Sequence, residues 1–387
     1  MNDLLKSLVR FFRVGFLFRF LRRAYYYCFD ISGSIVFGLI RVLGILPRAQ
    51  PFDSSGVKSI LLIRIDRIGD LVLTTPAIRA VRKKFPQARI DILVSKYARD
   101  LVLNNPHINN VLIDDKHRVF ERYDLAIALH PGLRQNYIAF LSRAKYRGGY
   151  SGSGGSFFLT HKVKDDRLRM PRHELEFTLE AARLFGCDVL DKKLELFVLP
   201  QADRFAEKFF LEHDLSGTVI FMHPGARQMH IRWNKEGFAQ VADKLIKEDK
   251  VKVILSGGAD EIDLIEEIKS LMKEKTVTIP RLELSQLTAL IKRSSLYLGN
   301  ITGPMHIACA LGVPVVAISG LRGSLDSYKF WGPWGEGNSL VLGKTDCLRC
   351  QPADCWDFSC LRSITTDMVY ETAKAQIQRL RKNESIK

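Results

Sequence analysis

Two kinds of residue in this sequence have the type and spacing to do chemistry. The first is a carboxylate in a charged turn. Asp70 closes Arg64-Ile65-Asp66-Arg67-Ile68-Gly69-Asp70, which follows the apolar run Ile60–Ile65. The run reads as a buried strand, and a helix is expected to open at Leu71–Pro76 and continue through Ala77, Ile78 and Val81. Strand, glycine turn and helix put polar groups at the carboxyl edge of a parallel sheet, where open α/β sheets bind ligands. Asp70 therefore either faces a cleft or caps the helix that follows it. The second kind is glycine after a strand. Gly225, Gly257-Gly258 and the 299–303 turn each follow an apolar run and precede a helical pattern. Glycine lets backbone N–H groups approach an anion, and the next helix start adds partial positive charge. Arg227 and Arg232 are placed to add charge-assisted bonds to a diphosphate. Each turn taken singly is also read as an ordinary chain reversal. Neither a G-x-G-x-x-G fingerprint nor a Walker A motif accompanies them.

The elements that position these residues are legible as alternating strands and helices. Ala88–Val94, Val111–Ile113 and Tyr123–Leu129 read as strands of a first domain, the last ending at His130-Pro131-Gly132. Tyr97–Asn104 reads as a short helix and Arg147–Ser156, rich in Gly and Ser, as a loop. His173–Phe185 reads as a helix closed by Gly186. After a crossing segment at 187–217 the pattern repeats. Val219–Met222, Val251–Leu255, Leu296–Leu298 and Val313–Ile318 are expected strands, and 235–248, 260–272, 285–294 and 307–311 expected helices. A helix over 366–381 ends the pattern.

Composition narrows the partners. The chain has 387 residues, 47% hydrophobic and 26% charged, with formal net charge +16. That size allows about two domains of ~150 residues. The charge points to an anionic partner: nucleic acid, an acidic membrane surface or a phosphorylated substrate. It is concentrated at the start, where residues 1–50 hold eight Lys/Arg against Asp3 and Asp30. Residues 1–48 mix Leu, Phe, Val and Tyr with Arg and Lys at near-helical spacing. They read as a basic amphipathic segment lying on an anionic membrane, or as pieces packed on the globular body. No groove-reading motif supports nucleic acid. Arginines interrupt what would be a signal-peptide core, so a cytosolic compartment is expected. Cys347, Cys350, Cys355 and Cys360 form C-x2-C-x4-C-x4-C, which is read as structural zinc, disulfides or free thiols.

Taken together, six segments resemble family 9 glycosyltransferases, the heptosyltransferase family of lipopolysaccharide core assembly. They are R-x-D-R-I-G-D-x-V-L-T-T-P-A-I at 64–78, F-P-x-A at 85–88, H-P-G-A-R at 223–227, R-W at 232–233, G-G-A-D-E at 257–261 and T-G-P-M-H-I-A-C-A-L-G-V-P at 302–314. The resemblance spans about 55–365 and implies an α/β GT-B fold, two Rossmann-like doubly wound domains facing a cleft. With it go a membrane-associating helical extension at 1–50, an acceptor domain at 51–200, a nucleotide-sugar domain at 201–365 and a terminal helix at 366–387. It implies an inverting, metal-independent transfer of a sugar, heptose foremost, from a nucleotide-diphosphate sugar such as ADP-heptose to a lipopolysaccharide core or other lipid-linked glycan. No cofactor is required on this reading. Asp70 would be the general base, with Arg67 and Gly69 on the acceptor side. His223, Gly225, Ala226, Arg227, Arg232, Glu261, Thr302, Gly303 and His306 would bind the donor, Glu261 at the ribose or base. His306 is read either as touching the phosphates or as a core-packed histidine. Two positions depart from the family pattern. Ile301 stands where the family usually has Asp, and Ile231 where it has Lys before Arg-Trp. These departures open the donor to a sugar other than heptose, and a non-catalytic relative that kept the fold is the further alternative.

Overall fold

The computed structural model describes residues 25–40, 42–43, 50–115, 121–167, 169–320, 327–344, 355 and 358–384. Among these residues, twelve strands form two six-stranded sheets. The first contains β1 (Ser59–Arg64), β2 (Arg89–Val94), β3 (Asn110–Ile113), β4 (Leu125–Ala128), β5 (Tyr146–Ser151) and β6 (His161–Lys164). The second contains β7 (Val219–His223), β8 (Lys252–Gly257), β9 (Val277–Pro280), β10 (Leu296–Asn300), β11 (Val315–Ser319) and β12 (Ser339–Leu342). The orders are β3-β2-β1-β4-β5-β6 and β12-β11-β10-β7-β8-β9. Every pairing is parallel. Helices cover both faces of such sheets, so inner strands are apolar without alternation. β1 and β4 show this, with Ile60–Ile63 and Leu125–Ala128 all buried.

Each sheet reverses its order once, between β1 and β4 and between β7 and β10. At such a reversal the connections leave in opposite directions and open a crevice beyond the strand ends. The segments after these four strands therefore form the walls of the site.

Several expectations need correction. The helix after β1 comes in two pieces, Ile68–Val72 and Thr75–Lys84. Asp70 thus lies inside the first helix rather than before it. The Gly-rich stretch read as a loop contains β5. Gly148 serves packing there: a Cβ on it would collide with the ring of Phe185. The crossing segment contains the helix Pro200–Glu212, which begins with the proline favoured at that position. It is tied to the helix Leu284–Arg293 by Asp203, 3.7 Å from both Lys292 and Arg293. The terminal helix Thr366–Glu384 places Val369, Tyr370, Ala373 and Ile377 in the core of the second sheet with Ile220 and Met222.

Residues 25–40 are helical and dock on the first domain. Phe29 packs on Phe157 at 5.4 Å between ring centroids, and Phe37 on Phe157 and Phe158 at 5.0 and 5.3 Å. Asp30 Oδ1 accepts the N–H of Ser156 at 3.0 Å. The earlier part of the basic segment, residues 1–24, lies outside the described residues. No helix of the described residues is long and apolar enough to cross a membrane.

The two domains touch directly. A Cβ on Gly69 would lie 2.8 Å from His306 Cδ2, and one on Gly303 would lie 3.0 Å from Ile68 Cγ2. The stretch 328–334 also reaches across to the first domain. His173 Nε2 lies 3.0 Å from the carbonyl of Gly332, Trp334 Nε1 donates to the carbonyl of Lys192 at 2.9 Å, and Phe330 stacks on Phe177.

Candidate active site

The crevice holds a cavity of about 320 Å³ walled by both domains. The first domain supplies Arg67, Ile68, Gly69, Asp70 and Tyr97; Arg227, Thr302, Gly303 and His306 face them from the second. The sequence-predicted residues Asp70, Arg67, Gly69, Arg227, Thr302, Gly303 and His306 are thus brought together at one cavity. Ile231 and Ile301, the two departures from the family pattern, also line it.

Asp70 is buried and strongly engaged. Its Oδ1 lies 3.1 Å from Arg64 Nη2, and its Oδ2 accepts the N–H of Arg67 at 3.2 Å. The second bond is a cap on the short helix, so capping and exposure to the cavity coexist in one side chain. Burial raises the Asp70 carboxyl above its ordinary range, against the opposing charges of Arg64 and His130.

Arg64 organises this cluster. It closes the apolar strand β1, and its side chain is fully buried. It donates to the carbonyl of Leu129 at 2.7 Å and reaches Glu174 Oε1 at 3.3 Å. Glu174, at the start of the helix Glu174–Arg183, also takes two bonds of 3.1 Å from Arg167. Burial alone would raise the Glu174 carboxyl, but the hydrogen bond from His130 and the charges of Arg167 and Arg64 hold it far below the ordinary range. His130, after β4, sets Nδ1 3.4 Å from Glu174 Oε1 and Nε2 3.9 Å from Asp66 Oδ1. Donor atoms of Asp70, His130 and Glu174 all lie within 4.8 Å of one another. That spacing alone suits a metal ion. The charges do not: Arg64 already bridges both carboxylates, and a cation there would face two guanidinium groups.

Arg64, His130, Arg167 and Glu174 were not singled out as site residues in the sequence. Two signals pointed to Arg64 and His130, and none to Arg167 and Glu174. Arginine at the end of an otherwise apolar strand must find buried partners. His130-Pro131-Gly132 after β4 also echoes His223-Pro224-Gly225 after β7, and both turns sit beside a sheet reversal.

In the second domain, the remaining predicted residues stand behind the cavity wall. Glu261 packs against Gly225, where any side chain would collide with its carboxylate, and accepts the N–H of Gly258 at 2.8 Å. The Gly257-Gly258 turn therefore spends an amide on Glu261. His223 Nε2 lies 3.7 Å from Glu261 Oε2, and burial pushes its imidazole below the ordinary range despite that carboxylate. Arg232 Nε donates to the carbonyl of Ala226 at 3.2 Å and its guanidinium lies 3.9 Å from Glu261. Arg232, Glu261 and His223 thus brace the Gly225–Arg227 loop. Asn300, buried at the end of β10, ties that loop to the next: its Nδ2 donates to the carbonyl of Pro224 at 2.7 Å and its Oδ1 accepts the N–H of Trp233 at 3.0 Å. His306 is a core-packed histidine that also borders the cavity. Burial, helped by His173, drives its imidazole down to about 3. It is a neutral ring at physiological pH.

Of the cysteine cluster, Cys347 and Cys350 lie outside the described residues. Cys355 Sγ accepts the N–H of Phe358 at 3.4 Å, and Cys360 Sγ lies 2.7 Å from where a Cβ on Gly320 would be.

Comparison with known proteins gives one consistent result. Residues 116–357, more than half of the chain, match the family model "Glycosyltransferase family 9 (heptosyltransferase)". The chain is 24% identical over 287 residues to a lipopolysaccharide core heptosyltransferase, OpsX, of Haemophilus influenzae, covering 70% of this chain and 81% of that protein. Among solved structures, a family 9 glycosyl transferase from Veillonella parvula superposes with TM-score 0.71 at 23% identity, covering 86% of this chain and 99% of the other. ADP-heptose lps heptosyltransferase II of E. coli superposes with TM-score 0.68 at 21% identity, covering 83% and 99%.

Proposed function

The chain belongs to glycosyltransferase family 9, and we propose that it moves a sugar from a nucleotide-diphosphate donor to a lipid-linked glycan with inversion at the anomeric carbon. The observation that carries this reading is the opposition, across one cavity, of the Asp70 carboxylate and the Thr302–Gly303 helix start beside Arg227. The acceptor hydroxyl enters on the Asp70 side. Asp70 takes its proton as the oxygen attacks the anomeric carbon, and a raised pKa suits a base that must hold that proton. The nucleoside diphosphate leaves from the opposite face of the sugar. Its charge is met by the amides of the Gly303–Ala310 helix start and by Arg227, with the Gly225–Arg227 loop held in shape by Glu261, Arg232 and Asn300. On this reading the diphosphate is neutralised by the protein's own groups, without a metal.

Heptose from ADP-heptose is the first donor to test, in the light of relatives that carry that name. A different sugar is the second reading, favoured by Ile231 and Ile301 on the cavity wall. Lipopolysaccharide core is the first acceptor class to test. Contact of the basic N-terminal segment with an anionic membrane, on the cytoplasmic side, belongs to the same reading. Structural zinc at Cys347, Cys350, Cys355 and Cys360 is a separate proposal, read directly by metal analysis of the purified protein.

Asp70→Asn tests the base. Transfer is expected to fall by about 10²–10⁴-fold, with the donor dissociation constant nearly unchanged. Wild-type turnover in the variant would remove Asp70 from the mechanism as its base, and absence of transfer by the wild-type chain with every donor would favour a non-catalytic role for the fold. A thermal-shift series with ADP-heptose and the common UDP-, GDP-, ADP- and CMP-sugars tests the donor. The true donor raises the melting temperature with its occupancy, and a shift with another sugar alone would replace heptose.

A further inference from the structure

The helix at 25–40 and the two residues described after it carry apolar side chains on opposite sides. Phe29 and Phe37 face the first domain, and Gly33 sits between them, where any side chain would collide with Phe157. Four turns of the other side present Tyr27, Ile31, Ile35 and Leu39, which are 70, 45, 60 and 59% exposed, and Val42 and Leu43 continue it. Asp30 turns inward to Ser156, so residues 25–40 put no charge on the outward side, and Arg41 separates them in the chain from Val42 and Leu43. A contiguous exposed apolar face of this length marks a contact surface.

The neighbouring helix of the body adds exposed apolar side chains of its own. Phe140, on the helix Leu133–Leu141, packs edge-on against Phe37 at 5.5 Å, and its neighbours Tyr137 and Leu141 are exposed. The same helix begins at the active site. Gln135, in its first turn, donates to Asp66 Oδ1 at 3.1 Å, within the Arg64–Asp70 cluster. Nine helical residues span about 13 Å. One helix therefore carries exposed Tyr137 and Leu141 along its length and is bonded at its near end to Asp66, beside the Arg64–Asp70 pair.

We infer that this face, formed by Tyr27, Ile31, Ile35, Leu39, Tyr137 and Leu141, rests in an anionic lipid bilayer and holds the first domain against the membrane. Charge complementarity names the occupant. Residues 1–24 contain Lys6, Arg10, Arg13, Arg19, Arg22 and Arg23 against Asp3. A cationic segment joined to an uncharged apolar face matches acidic headgroups above acyl chains. The surface stands independently of the transferase reading. Its use rests on that reading: an acceptor anchored in the same leaflet meets Asp70 within one short helix of the headgroups.

Co-sedimentation of the full chain with phosphatidylcholine/phosphatidylglycerol vesicles tests it. The wild-type chain is expected to bind, with weaker binding to phosphatidylcholine alone. The double variant Ile35→Asp/Leu39→Asp is expected to lose at least ten-fold in apparent affinity. Leu211→Asp, on a 77% exposed leucine preceding the second sheet, is expected to bind as wild type. An unchanged nucleotide-sugar thermal shift in the double variant would show that fold and donor site are intact, which separates failure of this proposal from failure of the transferase reading. Wild-type vesicle binding by the double variant would overturn the assignment of the face, as would absence of binding by the wild-type chain. A wild-type dimer in sedimentation that the double variant converts to monomer would also overturn it, by giving the face to a second copy.

Discussion

At the scale of single residues, the site is governed by one buried arginine. Arg64 is shared by Asp70 and Glu174, and their carboxyls are pushed in opposite directions. Glu174 is held low, so it contributes stability above the ordinary carboxylate range, and that stability is lost as pH falls below it toward the lowered folded value. Glu174→Gln leaves Arg64 and Arg167 under-compensated in the interior. A loss of about 3 kcal/mol is expected in denaturant unfolding at neutral pH, shrinking in acid, where the wild type loses the same contribution. Asp70 is held high, so the acid limb of kcat/KM is expected above the ordinary carboxylate range. His130, when protonated, opposes that rise. His130→Gln is therefore expected to move the acid limb of kcat/KM to still higher pH, read from a pH–rate profile. A limb that moved to lower pH would contradict the arrangement. Asp70 was legible in the sequence because a carboxylate in a strand-end turn has a short list of roles. Its partners were not, since Glu174 joins Arg64 across 110 positions, and periodicity carries no such pairing.

At the scale of elements, the active site is where two helix starts meet. Ile68–Val72 and Gly303–Ala310 approach closely enough that glycine is needed at 69 and 303. Gly69→Ala sets a methyl group 2.8 Å from the buried ring of His306. Since that ring is fixed by packing, the domains are expected to part slightly. A drop of at least about ten-fold in kcat/KM is expected from a displacement near 1 Å, with the second domain's donor affinity less affected than turnover. Strands were legible wherever an apolar run was uninterrupted, as in β1, β4 and β7. β5 was misread because Gly148 and Gly149 look like turn residues, and only the Phe185 ring above the sheet explains the first of them. The two-piece helix after β1 was missed for a related reason. Thr74 and Thr75 turn their hydroxyls back onto the carbonyls of Asp70 and Val72, which satisfies the backbone at the break.

At the scale of the whole molecule, both sheets read the same way from their first strand, and the site lies where their reversals face each other. Two α/β halves facing a cleft followed from the repeated strand–helix pattern and the strand-end turns, and the strand order did not. The contacts of residues 328–334 did not either. Those residues follow β11 of the second sheet, yet Phe330 and Trp334 lie on the first domain, against Phe177 and Lys192. The boundary between the halves in space is therefore not a single cut in the chain. A chimera joined near residue 200, with a foreign second half, would bring a foreign strap to the native His173 and Phe177. On the proposed reading, activity is expected to survive such an exchange only where the 328–334 segment stays with the first domain, so the two halves would be inherited as a matched pair rather than exchanged as modules.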